Sequence, residues 1–209
     1  MRPYPPQDLA SDFRYPEAFE PAPDLAHWLR VNFIDDCGPL FNPDHSHLQL
    51  ASIGVLWTNV PNSRQGMTVA GTASIPKPMQ GDKWTKARLL FQLGEWFGDL
   101  PDFLITLDAP ICAEASDKAF CALVEHELYH CAQAVNEFGM LRFNKDSGRP
   151  IFSMRGHDVE EFVGVVRRYG ASGVLSPKVR EMVLAAQEVP TAPEGAIRFA
   201  CGTCGSMVR

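Results

Sequence analysis

SDKAFCALVEHELYH, residues 116–130, is the stretch on which the reading of this chain turns. Phe120, Val124 and Leu128, with Cys131 and Val135 just beyond, recur at the three- and four-residue spacing of one helical face. Roughly opposite them lie Ala119, Ala122, His126 and His130. One face is therefore suited to packing, while the other combines small side chains with two imidazoles four residues apart, which project in the same direction from a helix. Such a pair can grip one metal ion, and Glu127, beside the first histidine, can reach a water on that ion. The periodicity predicts a helix from Ser116 to about Phe138, with Gly139 as its stop.

A catalytic metal needs a third protein ligand and an open position. The remaining histidines are His27, His45, His47 and His157. His157 is the leading candidate, because Arg155-Gly156-His157-Asp158 reads as a bend just before a second predicted helix at 159–169. Asp158 and Glu161 read as the capping pair of that helix. Glu160 is the rival ligand: it borders the apolar stripe of Val159, Phe162, Val163 and Val166, and zinc peptidases also use a Glu on a second helix. His45 and His47, in NPDHSHLQL, would share a face only on a strand, whereas Asn42-Pro43-Asp44 argues for a turn, so a structural role is expected there. Cys201-Gly-Thr-Cys204 has the form of half a zinc knuckle; without a second C-x-x-C the expected state is a tail with a reducible thiol pair. Cys37, Cys112, Cys121 and Cys131 sit in apolar surroundings and read as packing residues.

Working outward from the motif, Pro3, Pro5, Pro6, Pro16, Pro21 and Pro23 predict an extended arm over residues 1–23. Asp24 is the expected cap of a helix carrying Leu25, Trp28, Leu29 and Phe33 on one face and ending near Cys37-Gly38. The runs LQLASIGVLWTNV and MTVAGTASI, separated by PNSRQG, predict a hairpin between about residues 48 and 75. DFLITLD, residues 102–108, is a third extended run, closed by Pro110. Ser176-Pro177 opens a last helix with Val179, Met182, Val183 and Ala186 on one face, stopped by Pro190. The expected fold is α+β, a small mixed or antiparallel sheet packed on the motif helix with further C-terminal helices. Its expected domains are the arm at 1–23, one domain over 24–190 and a tail at 191–209.

Composition sets the class. With 45% hydrophobic and 21% charged residues in 209, the chain is globular rather than disordered, and its length suits one domain. The net charge of -6, with both signs interspersed, offers no basic field for nucleic acid. No apolar run is long enough to span a bilayer, and MRPYPPQDLASDF lacks a signal-peptide core, so a cytosolic location is expected.

At HELYHC followed by GHDVEEF, and upstream at HLQLASIGVLW, the sequence resembles the phage metallopeptidase family, over about residues 25–170. The resemblance implies a zincin-like domain in which His126, His130 and His157 hold a zinc ion and Glu127 acts as general base. Motif and family analogy together lead to the expectation of a peptide or protein substrate, without naming one, and of a phage-infected or prophage-carrying bacterial host. In folds of this type an edge strand beside the motif helix commonly takes an extended peptide as an added strand. DFLITLD is the expected edge. Two other readings stand beside a peptidase: a metal-dependent hydrolase of a non-peptide bond, and a non-catalytic zinc-binding regulatory or host-interaction module.

Overall fold

Residues 1–11, 16–64, 66–77, 81–159, 177–190 and 200–203 are described by the computed structural model. The apolar and β-branched runs form strands, but their pairing differs from the expected hairpin. Strands β1 (Phe19–Pro21), β2 (Ile53–Thr58), β3 (Ser63–Arg64), β4 (Met67–Ser74) and β5 (Phe103–Asp108) lie in the order β1-β2-β5-β4-β3. β5 is inserted between the two runs that were expected to pair, parallel to β2 and antiparallel to β4. Phe103, Ile105 and Leu107 are buried there, so DFLITLD is an interior strand and not the expected edge. β-branched periodicity makes a strand without naming its neighbour. The turn around Gly66, at φ +77°, joins only the two-residue β3 to the start of β4.

Downstream, β6 (Cys131–Gln133) and β7 (Phe152–Met154) form a separate antiparallel pair. β8 (Ala200–Cys201) adds in parallel to β4. The result is a mixed α+β fold.

Among the helices, α1 (Pro23–Leu29) starts with Pro23 in its first turn and Ala22 before it, and Asp24 lies inside the turn instead of capping it. It runs on through a wider, π-type turn at Arg30–Ile34, short of Cys37-Gly38. Pro43–Leu50 is a 3-10 helix opened by Asn42, whose side chain accepts from the Asp44 amide at 3.0 Å. α2 (Lys83–Phe97), for which the sequence reading had no expectation, is capped by Asp82, which accepts from the Trp84 and Thr85 amides. Pro110 opens α3 (Ala109–Glu114), with Asp108 accepting from the Ile111 amide at 3.0 Å.

The motif helix, α4 (Asp117–His130), is capped by Ser116 and stops well before Phe138. Cys131 turns extended and pairs with Met154, so a strand partner distant in sequence ends the helix. Val135, expected in the core, is 54% exposed, and Gly139, at φ +76°, serves a reverse turn in which the Asn136 side chain accepts from the Phe138 and Met140 amides.

The core gathers Phe33, Leu48, Val55, Phe103, Phe120 and Leu128 between helices and sheet. The proline-rich arm contributes to it. Leu9 is buried, β1 pairs with β2, and the buried Arg2 guanidinium lies 4.4 Å from the Phe120 ring centroid. Arg2 also donates to Asp117 at 2.9 Å, to the Cys112 carbonyl at 3.0 Å and to the Ala115 carbonyl, which ties the arm to the start of α4.

Residues 1–155 and 195–209 make one compact unit and 156–194 another. In the second, α5 (Pro177–Ala185) buries Val179 and exposes Met182 and Leu184. The predicted helix at 159–169, including Glu160 and Glu161, lies outside the described residues apart from Val159, as does Cys204. Among the described residues, no helix is long and apolar enough to cross a membrane.

Candidate metal centre

Helix α4 crosses β4 with Phe120, Val124 and Leu128 buried in the core. The same packing buries Glu127 completely and leaves His130 2% exposed. A buried carboxylate needs partners and room. The room comes from Gly71 in β4, where a Cβ would meet Glu127 Oε1 at 3.1 Å and Leu107 at 3.0 Å. One partner comes from the C-terminal segment, since Thr203 Oγ1 donates to Glu127 Oε2 at 3.1 Å.

The imidazoles of His126 and His130 meet through their Nε2 atoms, 3.3 Å apart, with ring centroids 5.0 Å apart and planes at 76°. His130 Nδ1 lies 2.7 Å from the Arg155 carbonyl oxygen. A carbonyl only accepts, so in the neutral ring Nδ1 carries the proton and Nε2 presents its lone pair. The Arg155 amide donates back to the His130 carbonyl at 2.9 Å, which fixes the ring to the chain that orients it. His157 follows Arg155 by two residues, so the covalent chain keeps it close by. One ligand nitrogen from each of His126, His130 and His157 lies within 4.8 Å of the others. The rival ligand Glu160 lies outside the described residues.

A profile of the family described as "Putative phage metallopeptidase" matches residues 26–187. The chain belongs to the phage metallopeptidase family. No curated protein and no solved structure matches it. For a phage metallopeptidase the family's own description suggests a metal-dependent peptidase, and the histidine triad is a donor set that could bind the metal.

The other two histidines of interest in this chain serve the scaffold. His47 Nε2 donates to the Cys131 carbonyl at 2.7 Å, at the point where α4 ends. His45 is 1% exposed, packs edge-on against Tyr129 at 4.7 Å, and is held down to a pKa of about 4 by burial first and by the neighbouring His47 second. Its Nε2 lies 3.8 Å from Glu125 Oε1, too far for a hydrogen bond, and a neutral imidazole makes no ion pair there. Asn42 Nδ2 donates to Glu125 at 2.9 Å and to the Tyr129 hydroxyl at 2.8 Å, and that hydroxyl donates to Asp44 at 3.1 Å, so the 3-10 segment is clamped to α4.

Burial pushes the Cys112 thiol up to about 12 and the Cys131 thiol higher still, which suits packing residues and not nucleophiles. Cys37 is exposed, contrary to the packing role expected for it. Three participants in the site were not read from sequence: Gly71, the Arg155 carbonyl and Thr203. A glycine inside the β-branched run MTVAGTASI signals close approach by a neighbour, and that signal was available. Thr203 was hidden inside a motif read for its thiols.

Proposed function

We propose that this protein is a zinc-dependent peptidase of zincin-like arrangement, in which His126, His130 and His157 hold the ion and Glu127 is the general base. The observation that carries the reading is the convergence of two Nε2 atoms with the His130 tautomer set by Arg155. Two nitrogens bound to one tetrahedral zinc at the usual bond length lie about 3.3 Å apart, and His126 and His130 stand at 3.3 Å. His157, exposed and within 4.8 Å, closes the set by side-chain rotation.

Zinc, when bound, supplies a Lewis acid for the scissile carbonyl and makes a water more acidic. Glu127 takes the proton of the attacking water and returns it to the leaving amine, which its position beside His126 in the sequence suits. The Arg155 carbonyl holds the His130 ring and raises its basicity as a ligand. Gly71 lets the carboxylate sit against β4, where side-chain bulk would displace it. The substrate is a peptide or protein, and we read the working compartment as the cytoplasm of a phage-infected or prophage-carrying bacterium, on the family's description.

Glu127→Gln preserves the shape of the side chain and removes the base, so it retains zinc while peptide hydrolysis falls by about a hundredfold or more. His126→Ala loses zinc and hydrolysis together. Metal analysis on the purified variants, paired with a peptide-cleavage assay, measures both. Undiminished hydrolysis by Glu127→Gln rejects the mechanism.

A further inference from the structure

The outward edge of β4 is occupied by the chain's own C-terminal segment. Val69 pairs with Ala200 and Gly71 with Cys201, and the Gly202 amide donates to the Gly71 carbonyl at 3.0 Å. Beyond that point a side chain replaces the backbone ladder. Thr203 Oγ1 accepts from the Ala73 amide at 2.6 Å and lies 3.1 Å from both the Ala73 carbonyl and Glu127 Oε2, so its one proton serves two acceptors. Thr203 is only 7% exposed. The seat admits no side chain at Gly202, where a Cβ would come within 2.1 Å of the Thr72 methyl and 2.9 Å of Val69.

We propose that Ala200–Thr203 is a resident pseudosubstrate on this edge of β4, the strand beside the motif helix where folds of this type take an extended peptide, and that it must leave before a peptide supplied in trans is cut. The inference rests on the peptidase reading above and adds what guards the site. Strand addition recognises backbone, and the Gly71 carbonyl and both polar groups of Ala73 are what an incoming extended peptide would satisfy. The resident segment uses those same groups and places a hydroxyl on the general base. A strand of two residues with few backbone bonds opens at little cost. Being tethered, it nonetheless competes at an effective concentration in the millimolar range. A peptide following the same path carries glycine where it crosses Thr72, which selects extended, glycine-containing segments.

Gly202→Val in the full-length chain unseats the tail without touching Glu127 or the histidines. Two measurements are made on wild type and variant, both zinc-loaded and checked by thermal melting. The first is fluorescence anisotropy with a labelled synthetic peptide of residues 198–205 under reducing conditions. The second is kcat/KM on a quenched fluorogenic peptide library. The variant is expected to bind the tail peptide at least tenfold more tightly than wild type. It is also expected to cleave about tenfold faster, as for a groove the tail keeps closed about nine-tenths of the time. Thr203→Val, which removes the hydroxyl without adding bulk at Thr72, shifts both readings in the same direction if Gly202→Val fails to fold. Tighter peptide binding with no cleavage by any protein supports the peptide-receiving edge and rejects the peptidase reading. Equal peptide binding and equal cleavage by wild type and both variants overturn the pseudosubstrate while leaving a peptidase standing.

Discussion

One pair of histidines lies on helix α4 and another on the 3-10 segment clamped to it, and they differ in where their nitrogens go. His126 and His130 bring two Nε2 atoms to 3.3 Å, one of them set as a lone pair by the Arg155 carbonyl. His45 and His47 are closer still in sequence, yet His47 gives its Nε2 proton to the end of α4, and His45 is buried neutral with an Nε2 that has no hydrogen-bond partner among the described residues. Burial therefore does not make a metal site. What sets the first pair apart is that its two Nε2 atoms converge and that a carbonyl partner fixes one ring's tautomer, as in a donor set that could hold a metal.

Removing one member of each pair gives the largest expected difference. His130→Ala is expected to carry no zinc through gel filtration, while His47→Ala keeps its full complement; zinc lost from both would mean that the second pair also serves the metal. A smaller effect separates the pairs by pH. Burial lowers the pKa of His45 from 6.5 to about 4 in the folded chain, so the unfolded chain binds the proton first. Stability is then fully present above about pH 6.5 and is lost as pH falls toward 4, with a loss on the order of 2 kcal/mol by pH 5. Urea midpoints at pH 7 and pH 5 measure it, and His45→Leu should flatten the difference; an unchanged slope would remove His45 as the cause. The smallest effect is that of His47→Ala on stability at neutral pH, about 1 kcal/mol for the lost bond to the Cys131 carbonyl. The same urea titration reads it, and a midpoint equal to wild type would show that the helix end needs no such donor.

The helical face of α4 illustrates how far sequence reading reaches. Phe120, Val124 and Leu128 repeat with the turn of the helix, and they are buried as the repeat predicts. Val135 continues the same repeat and is exposed, because the pairing of β6 with β7 ends the helix at His130. Nothing local around residue 131 announces that partner, which lies more than twenty residues away in the chain. DFLITLD is a comparable case: its nearly continuous apolar run is that of a strand, but the run by itself does not name the strands that flank it. The interior place of β5 follows from which strands find each other.

By itself the sequence determined what repeats locally: a helix carrying two histidines four apart with a glutamate between them, several buried strands, and the family to which they belong. Helical phase and side-chain alternation depend on neighbours a few residues away, so they are written in the chain. The tertiary structure alone decided that Gly71 leaves space for Glu127, that the Arg155 carbonyl sets the His130 tautomer, and that Thr203 sits on the same carboxylate. Each of these joins segments 25 to 76 residues apart, and contacts across such separations are fixed by packing of the whole sheet and helix, which no short-range pattern encodes.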